Sequence, residues 1–134
     1  VNRQQGMSSL ALVLLLLILG SLMLAGLNQQ LAALMRIVST ERQAIQHQAI
    51  AQSALEWGRT LPWQTQAEVT CRQHPQQPWR VCLRILEERV LLIANSGRVM
   101  LWRLGEVKGG KVVFSPHGWS DFCPLKEKAL CQQP

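Results

Sequence analysis

Apolar residues follow three different patterns along the chain. From Leu10 to Leu27 they are almost continuous, as Leu-Ala-Leu-Val-Leu-Leu-Leu-Leu-Ile-Leu and then Gly20-Ser-Leu-Met-Leu-Ala-Gly-Leu27. From Asn28 to Trp57 they recur at helical spacing among strong helix formers, and beyond Thr60 they fall into short alternating runs. The first stretch, Met7 to Leu27, is 21 residues, which as a helix spans about 31 Å at ~1.5 Å per residue. That equals the ~30 Å hydrocarbon layer of a bilayer. A backbone crossing lipid has to satisfy its own hydrogen bonds, so the segment is predicted to be a transmembrane helix.

The second stretch is predicted to continue that helix. Pro62 is the first proline. Val38, Ile45 and Ala49 lie along one helical line and Ala44, Ala51 and Leu55 along its neighbour, forming a broad apolar face. Arg36, Glu41, Arg42, His47 and Gln48 supply the solvated side. The expectation is one nearly continuous helix from about Ser8 to Trp57, with any bends at Gly20 and Gly26. Fifty residues make a rod of roughly 75 Å. Two helices broken near Asn28 are the alternative.

The third stretch reads as strands. Trp79-Arg-Val-Cys-Leu-Arg-Ile85 alternates, and Glu68-Val-Thr-Cys71 is a short partner for it. Arg89–Ala94, the turn Asn95-Ser-Gly97 and Arg98–Arg103 form a hairpin. Glu106-Val107, the turn Lys108-Gly-Gly-Lys111 and Val112–Phe114 form another, and Ser115-Pro-His-Gly118 opens a loop that runs on from there. An antiparallel sheet of three to five strands on the apolar face of the helix follows.

Composition sharpens this division. The chain has 134 residues, with 14 Lys+Arg against 8 Asp+Glu, a length suited to one domain and short for an enzyme core. No charge occurs from Gln4 to Met35, no aromatic before Trp57 and no cysteine before Cys71. A plain cytoplasmic globular protein is thereby excluded. Charge gives no topology, because Arg3 precedes the span and Arg36 and Arg42 follow it.

The cysteines are more informative. Cys71, Cys82, Cys123 and Cys131 all follow the span, and none forms a C-x-x-C pair, so zinc ribbons and thioredoxin-type sites lack their spacing. An even number beyond the membrane suits disulfides in an oxidising compartment. Three pairings are open. The favoured one joins Cys71 to Cys82 across the Arg72–Arg80 loop and Cys123 to Cys131 in the C-terminal segment.

The N-terminus carries a resemblance. Val1-Asn-Arg-Gln-Gln-Gly6 is short, polar and basic, and abuts Met7-Ser-Ser and the apolar helix. This resembles the leader of type IV prepilins, which prepilin peptidase cuts on the cytoplasmic side after the glycine before the new N-terminus is methylated. The resemblance implies a cut between Gly6 and Met7. A secretory signal fits less well, because its apolar region is shorter and a cut after Ala25 would place bulky Met23 where a small residue is needed. An uncut single-span anchor is the other reading. Where major pilins carry glutamate at the fifth mature residue, this chain has Ala11. That acid answers the buried ammonium of the subunit ahead, and a buried charge left alone costs about 3–5 kcal/mol. A subunit lacking it suits a filament-tip or initiating position, as in K-type minor pseudopilins.

Together with Ser53-Ala-Leu-Glu-Trp57 and the tail Phe114–Cys131, the chain is similar to YgdB-type minor type IV pilins, a group of prepilin-peptidase-dependent proteins. The resemblance implies an α+β, type IV pilin-like fold: a long N-terminal transmembrane helix packed on a small antiparallel sheet, with a disulfide-bonded C-terminal loop. It divides the chain into a leader (1–6), the transmembrane half of the helix (7–30) and a periplasmic globular domain (31–134). Implied partners are prepilin peptidase, other minor pilins, the major pilin and the bacterial inner membrane, with placement at a pilus tip. The rival is a membrane-anchored or secreted binding module outside any filament.

Enzymatic chemistry is not expected. His117, Ser120 and Asp121 lie too close in sequence for a nucleophilic triad, the three histidines lack ligand spacing, and no phosphate loop or other cofactor motif occurs. Arg72, Arg80, Arg84, Arg89, Arg98 and Arg103, interleaved with Trp79 and Trp102, could follow a nucleic-acid backbone. Arginines alternating along strands more often mark a solvated face, so nucleic acid is the lesser expectation.

Overall fold

The computed structural model describes residues 2–134, and for residues 2–5 the backbone alone. Val1, the start of the expected leader, lies outside the described residues. Helix α1 runs without a break from Asn2 to Thr60, six residues earlier than the expected start at Ser8 and three later than Trp57. Gly6, Gly20 and Gly26 each weaken a helix by only about 1 kcal/mol, too little to end one. The end is set by Pro62, which pushes Leu61 out of helical geometry. Freed carbonyls there find donors: Thr60 Oγ1 donates to Trp57 O at 2.7 Å and Trp63 Nε1 to Gly58 O at 2.7 Å.

Two compact units divide at Arg42 and Gln43. In the first, the large apolar side chains of the helix from Met7 onward are exposed, from 47% at Leu19 to 72% at Met23. It is long and apolar enough to cross a membrane.

The second unit has an α+β, pilin-like architecture in which the end of α1, from Gln43, lies on a five-stranded sheet. Strands β1 (Val69–Gln73), β2 (Arg80–Leu86), β3 (Arg89–Ser96), β4 (Val99–Lys108) and β5 (Lys111–Ser120) form an antiparallel meander in that order. Register places Val81 opposite Ala94 and Leu83 opposite Leu92. Directly opposed residues share a face, so these four face the helix together with Val90 and Leu101. Ala51, Ala54 and Leu55 complete that core. The opposite face carries Leu91, Ile93 and Trp102, and the C-terminal segment covers them with Cys131 and Leu125. Trp102 Nε1 donates to Cys131 O at 3.0 Å, and Gln133 Nε2 to Ile93 O at 3.0 Å.

Three expectations are corrected. Ser115–Gly118 is part of β5, not the start of a loop. Pairing runs to Phe114 opposite Gly105, then resumes with Trp119 opposite Arg103, so the intervening residues bulge out around Leu104. Pro116 has no N–H to donate and is tolerated at this irregular sheet edge. The same register makes Val99–Lys108 a single strand in place of two short ones. The helix face is also rotated. His47, Ile50, Ala51, Ala54, Leu55 and Gly58 face the sheet, whereas Ala44, Ile45 and Ala49 are exposed, as is Val38 in the first unit. His47 and Gln48, expected in solvent, are half-buried. Gly58 decides the rotation, since a Cβ there would sit 3.2 Å from methyls of Leu92 and Val81. The small side lets the backbone approach the sheet.

Both favoured disulfides are present. Cys71–Cys82 joins directly opposed residues of β1 and β2, and Cys123–Cys131 closes the C-terminal segment.

Two stability outcomes follow. Replacing Cys123 and Cys131 by Ser should cost about 2.5 kcal/mol in chemical denaturation, from the lost loop constraint, with a red shift of Trp102 fluorescence in the native baseline as the segment lifts. Gly118→Ala forces a Cβ to within 2.7 Å of Leu104 O and 2.9 Å of Ser115 Cβ. It should lower stability by about 1–3 kcal/mol, while Gly20→Ala, with open space around it, leaves the melting of the second unit unchanged.

Candidate functional site

The residues singled out from the sequence lie in separate places. Gly6, Met7 and Ala11 sit on α1 and are exposed, Met7 by 71%. The Gly6–Met7 peptide bond lies within the helix, so a protease reaching it has to unwind a local turn. No Cβ clash surrounds Gly6; its small size is not needed for packing within this chain.

The arginines do not form one surface. Arg80, Arg84 and Arg89 share the face covered by the C-terminal segment, whereas Arg72 and Arg103 are on the helix side and Arg98 is in the β3–β4 turn. Arg80 Nη2 donates to Pro134 O at 3.3 Å and Arg84 Nη2 to Gln132 O at 3.5 Å. Arg103 is only 7% exposed and pairs with Glu56 at 2.8 Å, a carboxylate it shares with Arg59 at 3.1 Å. Trp102 is also 7% exposed, its N–H already used. Trp102 and Arg103 therefore cannot belong to a nucleic-acid surface, because reaching a ligand would mean exposing the core.

Ser120 Oγ donates to Phe122 O at 2.8 Å and is buried, while His117 is exposed. The Ser120 hydroxyl is thus engaged by a backbone carbonyl. Among the described residues, no group of three or more His, Cys, Asp or Glu could hold a metal ion.

Two constellations escaped the sequence reading. The first is the Glu56–Arg103 pair. Parity along β4 contained the signal: Arg103 has the same phase as Leu101, and both faces of this strand are covered. The second surrounds the β1–β2 loop. The His74 ring lies 5.0 Å from Trp57 and 4.9 Å from Trp79, edge-on to each. Its Nδ1 accepts hydrogen bonds from the Gln76 and Gln77 amides at 3.1 and 3.0 Å. No local pattern links Trp57 on the helix to a loop about twenty residues later, so only the tertiary fold reveals this cluster.

A further feature is the outer side of α1. Ala44, Ile45, Gln48, Ala49 and Gln52 line a shallow apolar depression of about 420 Å³. Ile45 is 69% exposed at its edge. This face makes no use of the chain's own sheet.

Neither the curated proteins nor the solved structures contain a match to this sequence. One family model does match, described as "Protein of unknown function (DUF2509)", over residues 15–131. That match takes in most of the apolar helix, all five strands and all four cysteines, and the chain belongs to the DUF2509 family.

Proposed function

We propose that this protein is a non-enzymatic minor pilin-like subunit. Prepilin peptidase removes residues 1–6, and the mature chain, beginning at Met7, is held in the bacterial inner membrane with its sheet domain in the periplasm. It joins other minor pilins and the major pilin to initiate or cap a type IV pilus-like filament. The two disulfides agree with an oxidising compartment.

The observation that carries this reading is the length of uncovered apolar helix. A single-span anchor needs about 20 apolar residues. Here exposed apolar positions within the first unit continue through Leu31, Leu34 and Val38, so that Val38 lies 31 residues beyond Met7. At ~1.5 Å per residue this is about 47 Å, about half as much again as the hydrocarbon layer. Leu31, Val38 and Ile45 are seven residues apart, the spacing at which helices pack side by side in coiled coils. Lipid covers the first part of such a surface. Other helices would cover the rest.

Ala11 then sets the position within a filament. It offers no carboxylate to the ammonium of a subunit ahead, while the Met7 ammonium can still be answered from behind. That asymmetry favours the leading end.

Two experiments test the reading. Mass spectrometry of the protein from cells should give methylated Met7 as the first residue, and the unprocessed chain when the peptidase gene is deleted. A retained leader in normal cells would instead support the simple anchor, and an N-terminus near Gly26 a secreted module. Separately, Ile45→Glu should abolish recovery with filament subunits while shifting unfolding by less than about 0.5 kcal/mol, as expected for an exposed position. Normal assembly of that variant would remove the helix face from the mechanism.

A further inference from the structure

The acids of the strands, though not their bases, collect at one end of the sheet. Glu68, Glu87, Glu88 and Glu106 stand there among Arg89, Lys108 and Lys111, with Glu106 paired to Lys108 at 3.3 Å; Ile85 N donates to Glu68 O and Arg89 lies opposite both Leu86 and Glu106. The other end holds the β1–β2 loop and the β3–β4 turn. Residues 70–83 and 92–101 there contain Arg72, Arg80 and Arg98 and no acid. Outside the opposite end of the sheet, the acids beside these segments are Asp121, just beyond β5, and Glu56, already tied to Arg59 and Arg103.

The β1–β2 loop adds aromatic surface to this basic end. Cys71–Cys82 staples its base, Gln73 pairs with Arg80, and His74 N donates to Trp79 O at 2.9 Å. Arg72 is opposite Val81 and so shares the helix side with His74 and Trp79; Arg80 lies on the reverse side of this thin ribbon. Trp57 and Trp79 are half-buried, leaving part of each indole open, while Arg72, Gln73, Gln76 and Gln77 are exposed. Rings that pack edge-on against His74 are held in place before any ligand arrives.

We propose that this loop is a binding site for single-stranded nucleic acid. A phosphodiester chain crossing the ribbon tip meets Arg72 on one side and, on the other, Arg80, which is exposed although its Nη2 also donates to Pro134 O at 3.3 Å, and an unpaired base stacks on the open part of Trp79. Base stacking on aromatic rings tolerates sequence, and the glutamine amides can serve any base edge. A duplex buries its bases and gains only the charge contacts. A polyglutamate chain offers carboxylates but no aromatic ring to stack on the indole. The site does not depend on the filament reading: it would stand if processing at Gly6 failed, and filament assembly would stand if the site failed.

The test uses the full chain in nanodiscs of uncharged lipid, with fluorescein-labelled oligothymidylate followed by anisotropy. Contacts with two phosphates should weaken binding about sevenfold between 50 and 200 mM salt. Arg72→Gln with Arg80→Gln should flatten that dependence, and Trp79→Ala should weaken binding about tenfold. Arg89→Gln, at the other end of the sheet, should change neither. Quenching of tryptophan emission by the oligonucleotide in the unsubstituted chain reports the stacking, and an unchanged circular dichroism spectrum and melting of Trp79→Ala separate its loss of quenching from unfolding. No binding, equal affinity for a duplex of the same length, or equal competition by polyglutamate would each overturn the proposal.

Discussion

Strand β3 sets the terms for the globular unit. Val90, Leu91, Leu92, Ile93 and Ala94 have no measurable exposure, and successive side chains of a strand point to opposite faces. A run of five apolar residues therefore demands a cover on both sides. Burial of each large side chain stabilises by roughly 1.5–3 kcal/mol, and this holds only where a cover exists. The helix supplies one through Ala51, Ala54 and Leu55; the C-terminal segment supplies the other through Cys131 and Leu125. The segment has little secondary structure of its own beyond the short 3-10 turn Lys128–Cys131. It is held by the Cys123–Cys131 bond and by hydrogen bonds from Trp102 and Gln133. The disulfide thus acts on the core: it reduces the entropy lost when an irregular chain is laid over Ile93 and Trp102.

Much of this could be read from the residues because each element had a strong local signal. The helix followed from uninterrupted apolar and helix-forming residues with no proline before Pro62. The hairpins followed from Gly97 and the Gly109-Gly110 pair, all at positive φ, a conformation glycine adopts without steric cost. What could not be read depended on tertiary choice. Two apolar faces were available on the helix after Gln43, one through Ile45 and Ala49 and one through Ala51, Ala54 and Leu55. Periodicity cannot rank them. The backbone of Gly58 could approach Leu92 closely, and that contact selected the second. The bulge at Ser115–Gly118 was hidden for a similar reason, since its proline and glycine are ordinary loop residues until Gly118 is seen against the backbone of Leu104.

The candidate sites divide in the same way. Gly6, Met7 and Ala11 are legible only as sequence, because they lie on an exposed helix where geometry adds little beyond accessibility. The Arg103–Glu56 pair and the Trp57–His74–Trp79 cluster are legible only as structure. An arginine buried on a helix-facing strand needs its carboxylate, as removing one partner of such a pair leaves an uncompensated charge. Glu56 follows Leu55 directly, so the same helical turn that fills the core also neutralises Arg103, through a side chain that reaches round from the exposed side.

That economy explains why the Ile45 face remains available. The helix fulfils its obligations to the sheet with His47, Ile50, Ala51, Ala54, Leu55 and Gly58, a stripe of the width that a single packed interface requires. His47 Nδ1 lies 2.9 Å from Ser96 Oγ, which ties the beginning of the stripe to the β3–β4 turn. On the opposite side Ala44, Ile45 and Ala49 are exposed, and only further along does Glu56 reach round to Arg103. Apolar residues placed there make no contribution to the monomer and carry the solubility cost of exposed hydrophobic surface. A helix needed only as a tether could have been polar after Asn28 with no loss of fold. The retention of Leu31, Leu34, Val38 and Ile45 on that helix therefore argues for a second surface to be covered, by helices from outside the chain.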